Sequence, residues 1–308
     1  MNNNFGIIIH WGIYAQPAYD DVESARKRRI QNGSEWYYKR LTDNENTYRP
    51  TSGSKETQKY HDLHHKDKDY YDFTISENVD VKQWIDLAKD LGASYIILTT
   101  KHHDGYCLWP SEHAEHHTTR DIVKDFCDEA KKAGLSYGFY FSWLEFNKSI
   151  TKEFISNIIT PQIRELSVYK PMIWWFDGHW EIKTVYAKDY IMKLCKIIKN
   201  ENVIINDRIP DTDYASYRVY EDRYIPVIKK LNEQWEHINT IGLSWGYNKQ
   251  QKKSDYKNGQ ELYQLYQKVR EKGGRFLLNI GPDEHGNVDV NEMNSLNELK
   301  ILLQKNHM

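Results

Sequence analysis

Short β-branched or aromatic runs alternate with amphipathic helical segments along most of this chain, and that alternation restricts the fold more than any other feature. Strands are expected at residues 5–12, 94–100, 135–142, 172–177, 203–205 and 276–280, with weaker ones at 216–221 and 241–247. Helices are expected at 81–91, 121–133, 151–168 with an interruption at Pro161, 185–199, 261–272 and 290–303, and a helix-like segment contains Trp235 and Glu236. Gly92, Gly134 and the pair Gly273 and Gly274 follow helices where a left-handed C-terminal residue is favoured. Residues 13–71 are polar and Tyr-rich, with a short helix at 34–41, where Ser34 is the expected N-cap, and a His-, Lys- and Asp-rich loop at 60–72. Strand followed by helix, repeated about eight times, predicts an α/β fold of the (β/α)₈ barrel type. The 308 residues accommodate such a barrel as a single domain spanning 1–308.

The chemistry collects where the strands end. His10, His102, His103, Tyr140, Asp177, Arg208 and Glu221 all follow or close an expected strand, so a barrel would bring them to one face. Asp177 stands out. It ends the run Met172, Ile173, Trp174, Trp175, Phe176, which is too short for a helix and reads as a strand buried on both faces. A carboxylate there needs partners, because an unpaired buried charge costs several kcal/mol or neutralises itself. Taken alone, Asp177 could equally cap the next helix.

Other functions lack support. A net charge of −2 gives no electrostatic case for nucleic acid, and the basic run Arg26, Lys27, Arg28 and Arg29 reads as a solvated face. Cys107, Cys127 and Cys195 have neither disulfide nor metal spacing and are expected to be reduced thiols. No apolar stretch has the length of a membrane span, and no signal peptide is visible, so the chain as given reads as cytoplasmic unless a leader was removed. His61, His64 and His65 are expected in a solvated loop. A metal at His102 and His103 is disfavoured because neighbours on a strand point to opposite sides. Neither a Gly-x-Ser-x-Gly elbow nor a Gly-rich phosphate cradle occurs.

What remains is carboxylate chemistry with hydroxyl-binding groups around it. Aromatics make up 14% of the chain, with ten Trp and 23 Tyr, and such side chains combine flat apolar faces with polar tips suited to sugar rings. A retaining glycosidase uses one carboxylate as nucleophile and a second, about 5–5.5 Å away, as acid and then base. Asp177, kept anionic by Arg208, suits the first task, and Glu221 in a loop suits the second.

The segments Phe5 to Gly12, Glu35-Trp36-Tyr37, Lys101-His102-His103-Asp104-Gly105, Trp175-Phe176-Asp177-Gly178, Ser244-Trp245-Gly246-Tyr247 and Leu277 to Pro282 together resemble the catalytic domain of the α-L-fucosidases of glycoside hydrolase family 29. The resemblance covers nearly the whole chain. It implies a retaining exo-hydrolase that releases L-fucose from fucosylated oligosaccharides or glycoconjugates and needs no cofactor. It further implies that Asp177 is the nucleophile, that His10, Glu35, Trp36, His102, His103 and Tyr140 line the sugar pocket, that Trp175 is a further wall, and that Arg208 holds the nucleophile side. The acid/base falls on Glu221, with Glu236 as the alternative. Members of the family usually carry a C-terminal β-sandwich, whereas this sequence is expected to close on its eighth helix. A catalytically silent fucose-binding barrel and a glycosidase for a related sugar, such as an α-galactoside, stay open at this point. Neither the linkage cleaved nor the oligomeric state is legible.

Overall fold

A computed structural model describes residues 5–27, 33–43, 50–199, 202–227 and 233–305. Eight strands form one all-parallel sheet: β1 (Phe5–Ile9), β2 (Tyr95–Lys101), β3 (Ser136–Ser142), β4 (Ile173–Asp177), β5 (Ile204–Ile205), β6 (Arg218–Val219), β7 (Trp235–Thr240) and β8 (Arg275–Ile280). Their spatial order is β5-β4-β3-β2-β1-β8-β7-β6. The two outermost strands also meet, because Asn206 and Tyr217 form a parallel bridge and the Ser216 N–H donates to Ile205 O at 2.7 Å.

Parallel strands need crossover connections that bring helices onto the sheet, so both faces become buried. Side chains alternate accordingly. Ile7, Ile9, Ile96, Leu98, Phe139, Trp174 and Phe176 join the large core shared with the helices. Their neighbours Ile8, Tyr95, Ile97, Tyr140, Ile173, Trp175, Ile238 and Leu277 pack with one another in a second core on the opposite face. That is why the strands read as continuous apolar runs and not as alternating ones.

Most expected elements fall within a few residues of their observed bounds, and the departures have physical causes. Residues 235–240 are a strand and not a helix, while residues 241–247 are a loop. Glu236 and His237 gave this strand a polar look, yet both are buried, Glu236 against the distant Trp175 and His237 against Tyr224 O in the preceding loop. Only Arg218–Val219 of the expected strand at 216–221 pairs with β7. The expected loop at 60–72 begins inside a helix, Ser54–His64. His61 is buried there, bonded to Tyr37 Oη and Lys68 O, both at 2.9 Å. Pro161 does not interrupt its helix. The run from Lys152 to Ser167 is continuous, and the wide π turn over Ile155–Ile159 directly before Pro161 accommodates its ring and missing N–H. Gly33, not Ser34, occupies the N-cap of the turn Ser34–Trp36. Arg26 pairs with Glu23 and Asp255 at the surface, and Arg28 and Arg29 lie outside the described residues. All three cysteines are buried and free. No helix among the described residues is long and apolar enough to cross a membrane.

Beneath the turn that follows β2 lies a buried ion pair. Lys101 Nζ is 3.0 Å from Glu145 Oε1 and 2.9 Å from Gln162 Oε1, and it also sits over the Phe141 ring. Gly105, at φ +78°, passes so close to Glu145 that a Cβ would meet its carboxyl carbon at 2.8 Å. Lys148 is the second cation on Glu145, at 3.0 Å, and it is half exposed. Removing one member of a buried pair typically costs about 3–5 kcal/mol. Because Lys148 remains, Lys101→Met is expected at the lower end, about 3 kcal/mol, read as a lower urea midpoint, whereas Lys148→Met should change the midpoint little.

Candidate active site

A cavity of about 880 Å³ opens where the strands end. Ten of the sequence-predicted residues line it: His10, Glu35, Trp36, His102, His103, Tyr140, Trp175, Asp177, Arg208 and Glu221. The eleventh, Glu236, does not reach it. Glu236 lies deeper in the sheet, buried, where its carboxylate accepts from Trp175 Nε1 at 2.9 Å and Tyr95 Oη at 2.6 Å.

Asp177 closes β4, in register with Ser142 of β3. Gly178 then turns the chain away at φ +77°, a left-handed conformation that side chains other than glycine disfavour, and Leu144 packs 3.0 Å from where a Cβ would stand. Three side chains converge on the carboxylate. Arg208 Nη1 donates to Oδ1 at 2.7 Å, Tyr140 Oη donates to Oδ2 at 2.8 Å, and His103 Nε2 lies 3.5 Å from Oδ2. Burial alone would raise the Asp177 pKa, but Arg208, and after it His103, hold the carboxyl well below its ordinary range. His103 is itself oriented. Ser142 gives its one hydroxyl hydrogen to Leu144 O at 2.6 Å and so accepts from His103 Nδ1, also at 2.6 Å.

Arg208 is shared. Its Nη2 donates to Asp222, its guanidinium lies 4.6 Å from the centre of the Trp175 ring, and its backbone carbonyl accepts from Trp143 Nε1 at 3.0 Å. Trp175 in turn stacks on Tyr140, with ring centres 5.5 Å apart and planes 18° from parallel. The floor of the cavity is thus a continuous stack ending in two donors to Asp177.

Glu35, also lining the cavity, spans two loops. Its Oε1 accepts from Gly33 N at 2.6 Å and its Oε2 from Gly246 N at 3.1 Å. Burial pushes its carboxyl up from the ordinary value, against the pull of those two N–H groups. A carboxylate has acceptor capacity beyond two bonds, so Glu35 can still receive hydroxyls. Burial drives His10 down to about 3 and His102 well below its ordinary value, which keeps both rings neutral. Nδ1 of each is buried and unpaired among the described residues. A neutral imidazole offers one donor and one acceptor, which matches a hydroxyl.

His102 and His103 both face the cavity, with ring centres 4.3 Å apart. The strand rule that would send them to opposite sides does not apply, because the register of β2 slips between Thr99 and Lys101 and the strand ends at Lys101. Among the described residues no group of three or more His, Cys, Asp or Glu is arranged to hold a metal ion. Glu221 lies at the rim, exposed, in the loop after β6, and its side chain has no hydrogen bond or ion pair among the described residues.

Several lining residues escaped the sequence reading. Asp222 is the second anion on Arg208, and only its position beside Glu221 hinted at it. Trp245 lies 5.4 Å from His10 and beneath the Arg223 guanidinium. It belongs to the Ser-Trp-Gly-Tyr segment, but no strand end marked it. His179 and Trp180 come directly after Gly178, and Trp180 sets its edge to His103 at 5.4 Å.

The alpha-L-fucosidase family profile matches residues 1–307. The chain belongs to the α-L-fucosidase family. It is similar to the alpha-L-fucosidase of Dictyostelium discoideum, with 30% identity over 96% of this chain and 67% of that protein. It also resembles the human tissue alpha-L-fucosidase, with 29% identity over 92% of this chain and 62% of that protein. It therefore spans roughly two thirds or less of these relatives. Among solved structures, the Thermotoga maritima alpha-fucosidase in complex with fucose superposes with a TM-score of 0.75 and 28% identity, over 99% of this chain and 73% of that one.

Within this family member, the ionisation of Asp177 depends on Arg208. Arg208→Gln leaves a desolvated carboxylate with Asp222 nearby as an uncompensated like charge, so the Asp177 pKa should rise clearly. Titration of ¹³C-labelled aspartate carboxyls measures this directly. The sign also bears on stability. A depressed folded pKa contributes stability that is complete above the unfolded value of about 3.9 and is lost as pH falls through the folded one. Acid unfolding of Arg208→Gln should accordingly begin at higher pH than in the wild type.

Proposed function

We propose that this chain is a retaining, exo-acting α-L-fucosidase, that it hydrolyses terminal α-L-fucosyl residues of oligosaccharides or glycoconjugates, and that its residues form one (β/α)₈ barrel catalytic domain. The observation that carries the reading is the Asp177 carboxylate on the floor of the cavity, held ionised by Arg208 and oriented by Tyr140 and His103. The bridge between β5 and β6 supports the barrel.

In this mechanism an Asp177 oxygen attacks the anomeric carbon as the bond to the leaving oxygen breaks, and Glu221 protonates that oxygen. A covalent fucosyl ester results. Glu221, now a base, takes a proton from water, whose oxygen attacks the same carbon and releases the sugar and Asp177. The rim position of Glu221 suits both steps, since the leaving group exits and water enters there. The neutral rings of His10 and His102, together with Glu35, supply hydroxyl partners, and Trp36 and Trp175 supply apolar faces for the C–H surface of the sugar.

Hydrolysis of 4-nitrophenyl α-L-fucoside by the wild type, Asp177→Ala and Glu221→Ala, with and without azide, tests the assignment. Asp177→Ala should lose essentially all turnover and, with azide, give only the inverted β-fucosyl azide. Loss of a general acid typically costs about 10²–10⁴-fold, but an activated phenol needs little acid help. Glu221→Ala should therefore keep more activity on the aryl fucoside than on a natural disaccharide, and azide should restore turnover as the α-fucosyl azide. A Glu221→Ala enzyme indistinguishable from the wild type removes Glu221 from the mechanism. A wild type that binds L-fucose but cleaves neither an aryl fucoside nor a natural one removes the hydrolase reading.

A further inference from the structure

Glu236 lines no part of the cavity, yet it is a buried acid connected to the nucleophile through two successive side chains, Trp175 and then Tyr140 or Arg208. Its Oε1 accepts the Trp175 indole N–H at 2.9 Å, while its Oε2 accepts from Tyr95 Oη and lies 3.7 Å from Arg275 Nε. Arg275 in turn lies 4.0 Å from the centre of the Tyr217 ring. The indole held in this way is the same one that stacks on Tyr140 and carries the Arg208 guanidinium. Tyr140 and Arg208 are the two closest donors to Asp177.

From this chain of contacts we infer that Glu236 is a positioning residue for the nucleophile, acting through the orientation of the Trp175 indole. An indole N–H only donates, so it has to point at the Glu236 oxygen that receives it, and the alternative ring orientations of Trp175 leave a buried N–H without that acceptor. Fixing the ring fixes the surface on which Tyr140 and Arg208 rest. Small displacements of groups that align a reacting atom are expensive in rate even when the substrate still binds. The role in catalysis rests on the fucosidase reading given above, whereas the contact itself does not.

The test is a double-mutant cycle between Glu236 and Trp175. Glu236→Asp keeps a negative charge opposite Arg275 but withdraws it from the indole, and Glu236→Gln keeps the reach but weakens the acceptor. Each should lower kcat on 4-nitrophenyl α-L-fucoside, roughly tenfold or more for Glu236→Asp, with KM within about twofold. In a Trp175→Phe background, which lacks the indole N–H, the same changes should have less than about a twofold further effect, because coupled residues are not additive. Effects that simply multiply, or a loss confined to thermal stability with kcat per active site unchanged, overturn the proposal. The indole N–H resonance of Trp175, assigned by its absence in Trp175→Phe, reads the contact without substrate. It should shift in both Glu236 variants, and a resonance that stays in place overturns the proposal whatever the activity. Wild-type protein inactive on every fucoside would sink the hydrolase reading separately, since this resonance needs no turnover.

Discussion

A carboxylate at the end of an aromatic strand can remain charged only if a cation reaches it, and the ion pair between Asp177 and Arg208 meets that requirement here. Much of the surrounding architecture holds this pair in place. β4 presents the acid, the loop after β5 presents the guanidinium, and Asp222 and the Trp175 face hold the guanidinium from two further sides. Arginine is well chosen for the position. Its planar fork donates to two carboxylates while its flat face rests on an indole, which an ammonium could not do with the same geometry. Tyr140 and His103 then share the other carboxylate oxygen.

The aromatic content of the chain has two distinct uses. On the helix-facing side of the sheet, rings such as Trp84, Trp174 and Phe139 fill volume. On the other side, Tyr95, Tyr140 and Trp175 combine packing with directed polar tips, and each tip is bonded to a carboxylate. This gives the interior polar contacts at several depths. Asp177 lies at the cavity floor and Glu236 beneath it, with Trp175 between them.

Legibility in the sequence followed the range of the interactions involved. Asp177, Tyr140 and the His102–His103 pair were legible because a polar residue closing an apolar run is a local signal. Glu35 and Trp36 follow no strand, and only their resemblance to a known motif brought them forward. β7 was misread as helical because Glu236 and His237 look solvent-facing, and the partners that permit burial, Tyr95 and Trp175, lie 141 and 61 residues away. The helix Ser54–His64 was hidden by its polarity, since a helix with two histidines and few apolar residues carries little periodic signal. Asp222 was invisible for a related reason. Nothing in the local sequence separates a carboxylate that shares an arginine from one that faces solvent.

The sheet is not equally strong from strand to strand. Six strands contribute five to seven residues each, but β5 and β6 contribute two apiece and are joined by a single bridge and its neighbouring backbone bond. Cooperative opening begins where the fewest bonds must break together, so amide protons along this seam exchange with solvent more readily than those of β1 or β2. Arg208 and Glu221 hang from the two sides of that seam, whereas Asp177 ends the better-paired β4. The fold thereby sets Asp177 beside the long, well-paired strands and Glu221 beside the short ones, so that the mouth of the cavity can yield while its floor stays in register.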